Sequence, residues 1–389
     1  MNICLLTSTY FPLVGGLEIV VHNLAKALSN SGHNVYVLTS YNKEKIHIQD
    51  LNYTLLRFGF KGYGRLKLYT VSAILSLWYY SHKYDFDLIN VHNVFHPGTL
   101  TYYFKLLNKK IPIVGTPHGD DVQIDPDIQD GVRINPDYDF IVRRNLKSCT
   151  LVTSISSSIK SDLRSLIDEK KIIDIPNGIW VNDFINCSHR NEVRRKFDIP
   201  LDSVVIISVG RNHPRKGFEY GLKAIAKLKA LNIHVTYILV GRSMDSIRDE
   251  GSHLSISDCL ITPGQVDYGT IIDLLVCSDI YFSPSIIESF GMATLEAMCA
   301  GLPCVVTDIP GSRDLVSRDF GICVKSRDVD AMSTALKKLI ENSALRREMG
   351  EKAHLEANKY NWPNVAQLYT EAYKKALVDY NDNLFCSEN

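Results

Sequence analysis

Two parts of the chain, one beginning near Ile3 and the other near Val204, carry the same pattern of residues. Each has a short apolar run, a loop that contains glycine and a helical repeat of apolar residues. A second apolar run follows, at 35–38 in the first part and at 235–240 in the second. This alternation predicts a β-loop-α-β unit in a parallel sheet. Because the two starts lie roughly 200 residues apart and a domain usually takes about 150 residues, the sequence predicts two doubly wound α/β domains.

Further apolar runs predict the remaining strands of both sheets. They lie at 87–91, 111–114, 151–154 and 171–175 in the first half, and at 260–262, 280–283 and 304–307 in the second. Helical spacing of apolar residues returns at 331–340 and 344–358, and a last helix is predicted from the Trp362-Pro363 break to residue 378 or so.

The domain boundary is predicted from the turn signal Asn177-Gly178, which precedes a charged helix near Arg190. We expect an N-terminal Rossmann-like domain at 1–185 and a C-terminal Rossmann-like domain at 186–360. Residues 361–380 are expected to form a helix that packs back on the N-terminal domain.

Charge and cysteine content exclude several classes of protein. Lys plus Arg is 43 and Asp plus Glu is 43, so no global field draws the chain to nucleic acid or to an anionic membrane. The nine cysteines include no CxxC pair, which argues against a disulfide framework and a zinc site. The N-terminus lacks the features of a signal peptide, and the apolar run 71–80 has half of the roughly 20 residues that cross a bilayer. We therefore expect a cytoplasmic protein.

The strongest site signal is the segment 283–303, which contains Glu288 and Glu296 around the start of a helix predicted from Phe290 to Gly301. Loops after parallel strands are where such sheets bind ligands. Eight residues of helix span about 12 Å, so the two carboxylates are expected to hold opposite ends of one ligand. An ordinary amphipathic helix with solvated glutamates would carry the same pair, but the flanking Ser-Pro-Ser, Phe-Gly-Met and Ala-Gly-Leu-Pro segments favour a ligand site.

A diphosphate can approach the start of this helix, because Gly291 has no side chain there and the free amides carry partial positive charge. Glu296 would then bind ribose hydroxyls, and Glu288 would face a sugar. A second candidate site, the loop GRNHPRKG at 210–217, lacks the spacing of a Walker loop, which argues against an ATPase.

The segment 283–303 resembles the Glu-x7-Glu motif of the retaining glycosyltransferases of family four, which have the GT-B fold. Other features of that family occur here in the same order, over nearly the whole chain: Gly15-Gly16, Thr116-Pro117-His118-Gly119, Pro176-Asn177-Gly178, Gly210-Arg211, Pro214-Arg215-Lys216-Gly217, Val240-Gly241, Gly264 and Trp362. The resemblance implies two Rossmann-like domains that face a central cleft in which the donor is held. The domain at 1–185 would bind the acceptor, and the domain at 186–360 would bind the nucleotide-sugar donor.

The resemblance also implies roles for individual residues. Arg211 and Lys216 would neutralise the donor diphosphate as it leaves, whereas Arg215 also suits a solvated basic turn. His118 would face the donor sugar, and Glu288 completes the expected catalytic set. The expected donor-binding residues are Gly15, Gly16, Asn177, Gly210, Gly241, Gly264, Val266, Ser289, Phe290, Gly291, Met292 and Glu296.

The reaction implied is transfer of a hexosyl or N-acetylhexosaminyl group with retention, by front-face substitution. A double displacement would need two carboxylates about 5 Å apart, which the spacing of the Glu pair disfavours. The donor is expected to be a UDP-sugar, with a GDP-sugar second, and the acceptor a glycan, a lipid-linked glycan or a small molecule. No metal or other cofactor is implied, because Arg211 and Lys216 supply the positive charge.

Two other functions and a possible membrane contact stay open. The same fold suits a nucleotide-sugar epimerase or a binding protein without turnover, although the ordered motifs favour a transferase. The acidic residues from Asp120 and Asp121 to Asp139 do not have the spacing of metal ligands. We interpret this segment as a mobile loop on the acceptor side. Basic and aromatic residues at 57–80, including Lys61, Arg65 and Lys67, predict weak peripheral contact with the inner face of the cell membrane, or else a packed helix with a basic entry loop.

Overall fold

The computed structural model describes residues 1–10, 15–40, 51–58, 66–184 and 189–388, without the side chains of 66–69 and 383–388. The chain forms two compact units, Met1–Gly178 with Trp362–Asn389, and Ile179–Asn361. It therefore passes from the first unit to the second at Gly178 and returns at Trp362. The predicted boundary between 185 and 186 lies outside the described residues.

The first unit is built on a parallel sheet of seven strands, in the order β3-β2-β1-β4-β5-β6-β7. Its central strands are buried on both faces, which explains their continuous apolar runs. The strands are β1 Asn2–Thr7, β2 Asn34–Ser40, β3 Thr54–Phe58, β4 Leu88–His92, β5 Ile113–Thr116, β6 Leu151–Ser154 and β7 Ile172–Asp174. The helices between them are α1 Gly16–Asn30, α2 Leu66–Lys83, α3 His96–Leu107, α4 Pro136–Ser148 and α5 Ser157–Arg164.

The second unit has a parallel sheet of six strands, in the order β10-β9-β8-β11-β12-β13. Its strands are β8 Val204–Val209, β9 Val235–Val240, β10 Leu260–Gly264, β11 Ile280–Ser283, β12 Cys304–Thr307 and β13 Gly321–Val324. The helices are α6 Arg190–Lys196, α7 Phe218–Ala230, α8 Asp245–His253, α9 Tyr268–Val276, α10 Met292–Cys299, α11 Pro310–Arg313, α12 Val329–Glu341 and α13 Ser343–Ala357. In both sheets the strand order reverses beside the first strand of the unit, which is where doubly wound sheets bind ligands.

Helix α14, Trp362–Glu388, is part of the first unit although it ends the chain. The side chains of Trp362, Tyr369 and Tyr373 are almost completely buried. The Tyr373 hydroxyl donates a 2.7 Å hydrogen bond to Oδ1 of Asn90 in β4, so a polar contact fixes the helix as well as apolar packing. A Cβ at Gly178 would lie 2.5 Å from the Trp362 ring, which leaves room only for glycine.

Most predicted strands are confirmed within two residues, and five of them, β6, β8, β9, β11 and β12, have the predicted bounds. Two strands were missed, β3 and β13, which both lie at sheet edges and have only three apolar residues each. The predicted helix start at Phe290 was wrong by two residues: α10 begins at Met292, because Gly291 adopts a left-handed conformation with φ 96°.

The apolar run at 71–80 lies within α2. No helix in the described ranges is both long and apolar enough to span a bilayer.

Candidate functional site

Three glycines meet at the carboxyl ends of neighbouring strands in the second unit. Gly210 follows β8, Gly241 follows β9 and Gly264 ends β10. The Gly210 amide donates to the Val240 carbonyl at 2.9 Å, and the Gly241 amide donates to the Gly264 carbonyl at 3.0 Å. A Cβ at Gly241 would lie 1.8 Å from the Gly210 carbonyl oxygen. Gly241 therefore lets the ends of β8 and β9 approach closely, whereas the space around Gly264 is open.

The loop after β8 carries Lys216 over this edge. Pro214–Lys216 forms one turn of 3-10 helix, and Gly217 ends it in a left-handed conformation with φ 58°. The aliphatic stem of Lys216 passes over Gly210, where an added Cβ would lie 3.3 Å from Cε. Arg211 is exposed on the same loop. The loop thus presents one positioned cation and one cation open to solvent.

Arg215 has a structural role instead. Its side chain is buried, and its carbonyl oxygen accepts hydrogen bonds from the amides of Ile286 at 2.7 Å and Ile287 at 3.2 Å. The solvated turn considered for this residue is therefore wrong, because its backbone joins the loop after β8 to the loop after β11. That connection brings the two loops with charged residues side by side.

Lys216 and Glu288 form an ion pair between these loops. Nζ of Lys216 lies 2.7 Å from Oε2 of Glu288, and their side chains are 25% and 14% exposed. The Ser285 hydroxyl lies 3.5 Å from the same carboxylate oxygen. Two residues that lie 72 positions apart in the sequence therefore share one place in the fold.

The backbone at Glu288 is fixed by its neighbours. A Cβ at Gly311, in α11, would lie 2.0 Å from the Glu288 carbonyl oxygen, so this contact requires glycine. The Thr307 hydroxyl donates to the Ser285 carbonyl at 2.6 Å. The backbone that carries Glu288 is therefore closely packed against α11 and the end of β12.

Helix α10 begins next to this ion pair. A Cβ at Gly291 would lie 3.5 Å from Cγ of Glu288 and 3.2 Å from Leu315, so the start of the helix is close to the carboxylate. The Phe290 side chain is buried and packs against Tyr360, with ring centroids 6.1 Å apart. Any contact of Phe290 with a ligand must therefore use its backbone, whereas Ser289, Met292 and Val266 are partly exposed.

Glu296 lies deeper in the same region. It is only 7% exposed, and burial raises its pKa to about 8, although a hydrogen bond from the Tyr268 hydroxyl acts in the opposite direction. Tyr268 begins α9, four residues after Gly264. The sequence analysis did not predict Tyr268 as a site residue, because no local pattern connects it with Glu296, which lies 28 positions later.

His118 lies in the first unit, two residues after β5. Its Nε2 atom is 3.0 Å from Nδ1 of His92, the last residue of β4. Burial lowers the pKa of His118 to about 4 and lowers that of His92 well below its usual value. His92 was not predicted as a site residue, although its position at the end of a strand was a usable signal.

Asp121 fixes the backbone around His118. Its Oδ1 accepts the amides of His118 at 3.0 Å and Gly119 at 3.1 Å, and its Oδ2 accepts the Val94 amide at 2.7 Å. Burial raises the pKa of Asp121 to about 6. The predicted acceptor-side loop therefore begins with a buried, structural aspartate.

Asp139, at the other end of the predicted acceptor-side loop, is structural too. It pairs with Arg133 at 2.7 Å and with Arg143 at 2.6 Å. Both ends of this acidic stretch are thus fixed by bonds that its sequence did not reveal.

The other predicted residues of the first unit are Gly15, Gly16 and Asn177. Gly15 is the N-cap of α1, and an added Cβ there would lie 2.7 Å from Oε2 of the buried Glu18. A Cβ at Gly16 would meet nothing within 4 Å, so the start of α1 is open at this residue. Asn177 is buried, and its Oδ1 has no hydrogen-bond partner among the described residues.

Two family models match the chain in sequence. Residues 14–182 match the model described as glycosyltransferase family 4, and residues 189–356 match the model described as glycosyl transferases group 1. Between them the models cover both units, in the order in which the motifs occur.

The chain belongs to the group 1 glycosyltransferases of family four. Its relatives include the N-acetyl-alpha-D-glucosaminyl L-malate synthase of Bacillus anthracis, 23% identical over 95% of this chain and 97% of the relative. They also include the phosphatidyl-myo-inositol mannosyltransferase of Mycolicibacterium smegmatis, 26% identical over 96% of this chain and 94% of the relative. The chain is therefore a glycosyltransferase.

Solved structures of the same class share the fold. Sucrose-phosphate synthase from Thermosynechococcus elongatus superposes with a TM-score of 0.83 at 20% identity, over 97% of this chain and 99% of that one. Anabaena HepE in complex with UDP and glucose superposes with a TM-score of 0.81 at 18% identity, over 96% and 100%. This family-four glycosyltransferase thus has the predicted GT-B fold.

Proposed function

We propose that this glycosyltransferase moves a sugar from a nucleotide-diphosphate sugar to an acceptor hydroxyl, with retention of the anomeric configuration. The observation that carries the proposal is the Lys216–Glu288 pair, held at the start of α10 beside the Gly210, Gly241 and Gly264 edge. A cation, a carboxylate and a helix start in one place suit a ligand with a diphosphate at one end and hydroxyls at the other.

The leaving group determines the chemistry that the residues must supply. The bond between the anomeric carbon and the phosphate oxygen breaks, the acceptor oxygen bonds to that carbon on the same face, and the acceptor proton passes to the phosphate oxygen. Lys216, assisted by Arg211, would stabilise the charge that develops on the phosphate, which is often the largest catalytic contribution. Glu288 would bind hydroxyls of the sugar, and Glu296 those of the ribose.

For the donor we propose a UDP-sugar, with a GDP-sugar as the second choice, and a hexosyl or N-acetylhexosaminyl group. The support is that Anabaena HepE has been solved with UDP-glucose, while two relatives are named for mannosyl and N-acetylglucosaminyl chemistry. We propose that no metal is needed, because Lys216 and Arg211 provide positive charge at the phosphates. Full activity after treatment with a chelator is the expected outcome.

The test begins with a screen of UDP- and GDP-sugars for thermal stabilisation. A ligand present at 100 times its dissociation constant adds about 2.7 kcal/mol to the stability. Each sugar that binds is then incubated with glycan, lipid-linked and small-molecule acceptors, and the anomeric configuration of the product is read by NMR. Inversion would contradict retention, a donor changed without an acceptor product would favour an epimerase, and binding without turnover would favour a binding protein.

We also propose a weak peripheral contact with the inner face of the cell membrane. The support is a row of exposed apolar side chains on α2, which are Val71, Leu75, Trp78 and Tyr79, each about half exposed. They recur at helical spacing on the solvent side of a helix, a pattern typical of interfacial helices. The basic residues Lys61 and Arg65, and the Lys67 side chain, lie outside the described part of the chain.

A further inference from the structure

His92 is a completely buried histidine in contact with the histidine of the predicted site. It ends β4, and in the parallel pairing of β4 with β5 it lies opposite Thr116. The His118 ring lies 5.3 Å from the His92 ring at 26°, and Nδ1 of His92 is 3.0 Å from Nε2 of His118. This distance is a hydrogen bond, so exactly one hydrogen lies between the two nitrogens.

The pair has two neutral arrangements, since burial disfavours a charge on either ring. In the first, Nδ1–H of His92 donates to Nε2 of His118, whose own hydrogen is then on Nδ1. In the second, Nε2–H of His118 donates to Nδ1 of His92, whose own hydrogen is then on Nε2. The two arrangements differ in what His118 offers to a substrate.

The surroundings of His92 distinguish these arrangements. Its Nε2 is buried and has no hydrogen-bond partner among the described residues. The second arrangement would place an N–H group there without an acceptor, and orphaned buried N–H groups are rarer in proteins than acceptors without a donor. The first arrangement leaves only a bare nitrogen at this place and is therefore favoured.

His118 is then left with one free donor. Its main-chain amide is already bound by Asp121, which fixes the backbone. Its Nδ1 forms no hydrogen bond with any residue in the described ranges, and the side chain is partly exposed. A hydrogen on Nδ1 is thus available to a ligand.

We propose that His92 is a positioning residue, which holds His118 in the Nδ1–H tautomer so that His118 meets a sugar hydroxyl as a hydrogen-bond donor and not as a base. The contact with a sugar rests on the proposed function, whereas the tautomer does not. His92→Asn keeps a side-chain N–H near the position of Nδ1 and should preserve the arrangement. His92→Phe removes it and should let His118 adopt the Nε2–H tautomer, which neutral imidazoles prefer in water.

The test is the two-bond 1H–15N NMR spectrum of enzyme with 15N-labelled histidine, with His118 assigned from its loss in His118→Asn. In the wild-type enzyme we expect His118 to carry hydrogen on Nδ1 and to have a bare Nε2. The reverse assignment in the wild-type enzyme would overturn the proposal, and so would an unchanged His118 tautomer in His92→Phe. The wild-type spectrum tests the tautomer of His118 even where a variant fails to fold, and His92→Asn then tests the role of His92.

A kinetic comparison adds a second measurement. The loss of one oriented hydrogen bond should lower kcat about tenfold in His92→Phe, with activity restored to within about threefold of the wild type in His92→Asn. Equal losses in both variants would contradict the positioning role. If the wild-type enzyme transfers no sugar at all, the proposed function fails. The NMR spectra still test the tautomer of His118 independently.

Discussion

Nζ of Lys216 lies 2.7 Å from Oε2 of Glu288, and both side chains are mostly out of solvent. Because each charge is partly removed from water, their Coulomb attraction is screened less than in a surface ion pair. A diphosphate that approaches Lys216 must therefore share the ammonium group with the Glu288 carboxylate. Removal of the Lys216 ammonium group should therefore weaken UDP binding, whereas removal of the Glu288 charge should strengthen it.

Lys216→Ala should lower kcat by roughly 100-fold or more, because a charge at the leaving group acts mainly in the transition state. The affinity for UDP should fall much less. Steady-state kinetics with the donor identified by the screen measures both effects. Lys223→Ala, an exposed lysine on α7, is the matched control and should leave kcat unchanged. Wild-type turnover in Lys216→Ala would rule out its catalytic role.

Glu288→Gln should bind UDP about three- to tenfold more tightly, because the ammonium group of Lys216 no longer has a carboxylate partner. Turnover should still fall, since the carboxylate is expected to hold the sugar. Isothermal titration with UDP gives the affinity. Asp249→Asn removes one exposed negative charge on α8 and controls for net charge. Weaker UDP binding in Glu288→Gln would count against a phosphate site at Lys216.

Glu296→Gln should change the dependence of stability on pH. The pKa of Glu296 is raised by burial from 4.5 to about 8, so the folded protein holds a proton that the unfolded chain releases within this window. The wild-type protein should therefore lose stability as pH rises from 4.5 to about 8, by a few kcal/mol relative to the glutamine variant. Urea unfolding at pH 5, 7 and 9 measures the difference, which should be smallest at pH 5. A constant difference would disprove the assigned cause.

Gly241→Ala and Gly264→Ala should differ sharply in stability. A Cβ at Gly241 would lie 1.8 Å from a carbonyl oxygen, so the backbone must move and the loss should exceed about 3 kcal/mol. Gly264 has a φ of +81° but open space around it, so only backbone strain of about 1–2 kcal/mol is expected there. Chemical unfolding of the two variants gives the comparison. Equal losses would mean that the close approach of the strand ends is not present in solution.

A Leu75→Ser, Trp78→Ser double variant should bind anionic vesicles less than the wild-type protein at low salt. The two exposed side chains provide apolar area for an interface, and their loss should cost little stability. Co-sedimentation measures the bound fraction, with the exposed Leu355→Ser as control. Failure of the wild-type protein to sediment with vesicles would remove the proposed membrane contact.

Sequence reasoning was strongest where the signal is local. The runs at 204–209 and 280–283 are apolar except for one serine each, because central parallel strands are buried on both faces. Gly241 was predicted from the family resemblance and Gly291 from its place at a helix start. The structure adds that Gly241 allows a close approach and that Gly291 has a left-handed backbone, both of which favour glycine. The motif order then predicted the fold of both units.

The residues that were missed depend on contacts between distant parts of the chain. His92 becomes significant only when β4 pairs with β5, and Tyr268 only when α9 packs near Glu296. The buried role of Arg215 follows from amides 71 and 72 positions later, which no local pattern encodes. Such partners could be found from one sequence only after the sheet order was known.

Because helix α14 belongs to the first unit, that unit cannot finish folding until the second unit has been synthesised. The positions filled by Trp362, Tyr369 and Tyr373 stay vacant until these residues have left the ribosome. The amino-terminal 178 residues, expressed alone, would thus expose the apolar surface that this helix covers and should be prone to aggregate. The second unit is encoded by one uninterrupted stretch and can complete its core earlier, so the half that is translated first is the half that matures last.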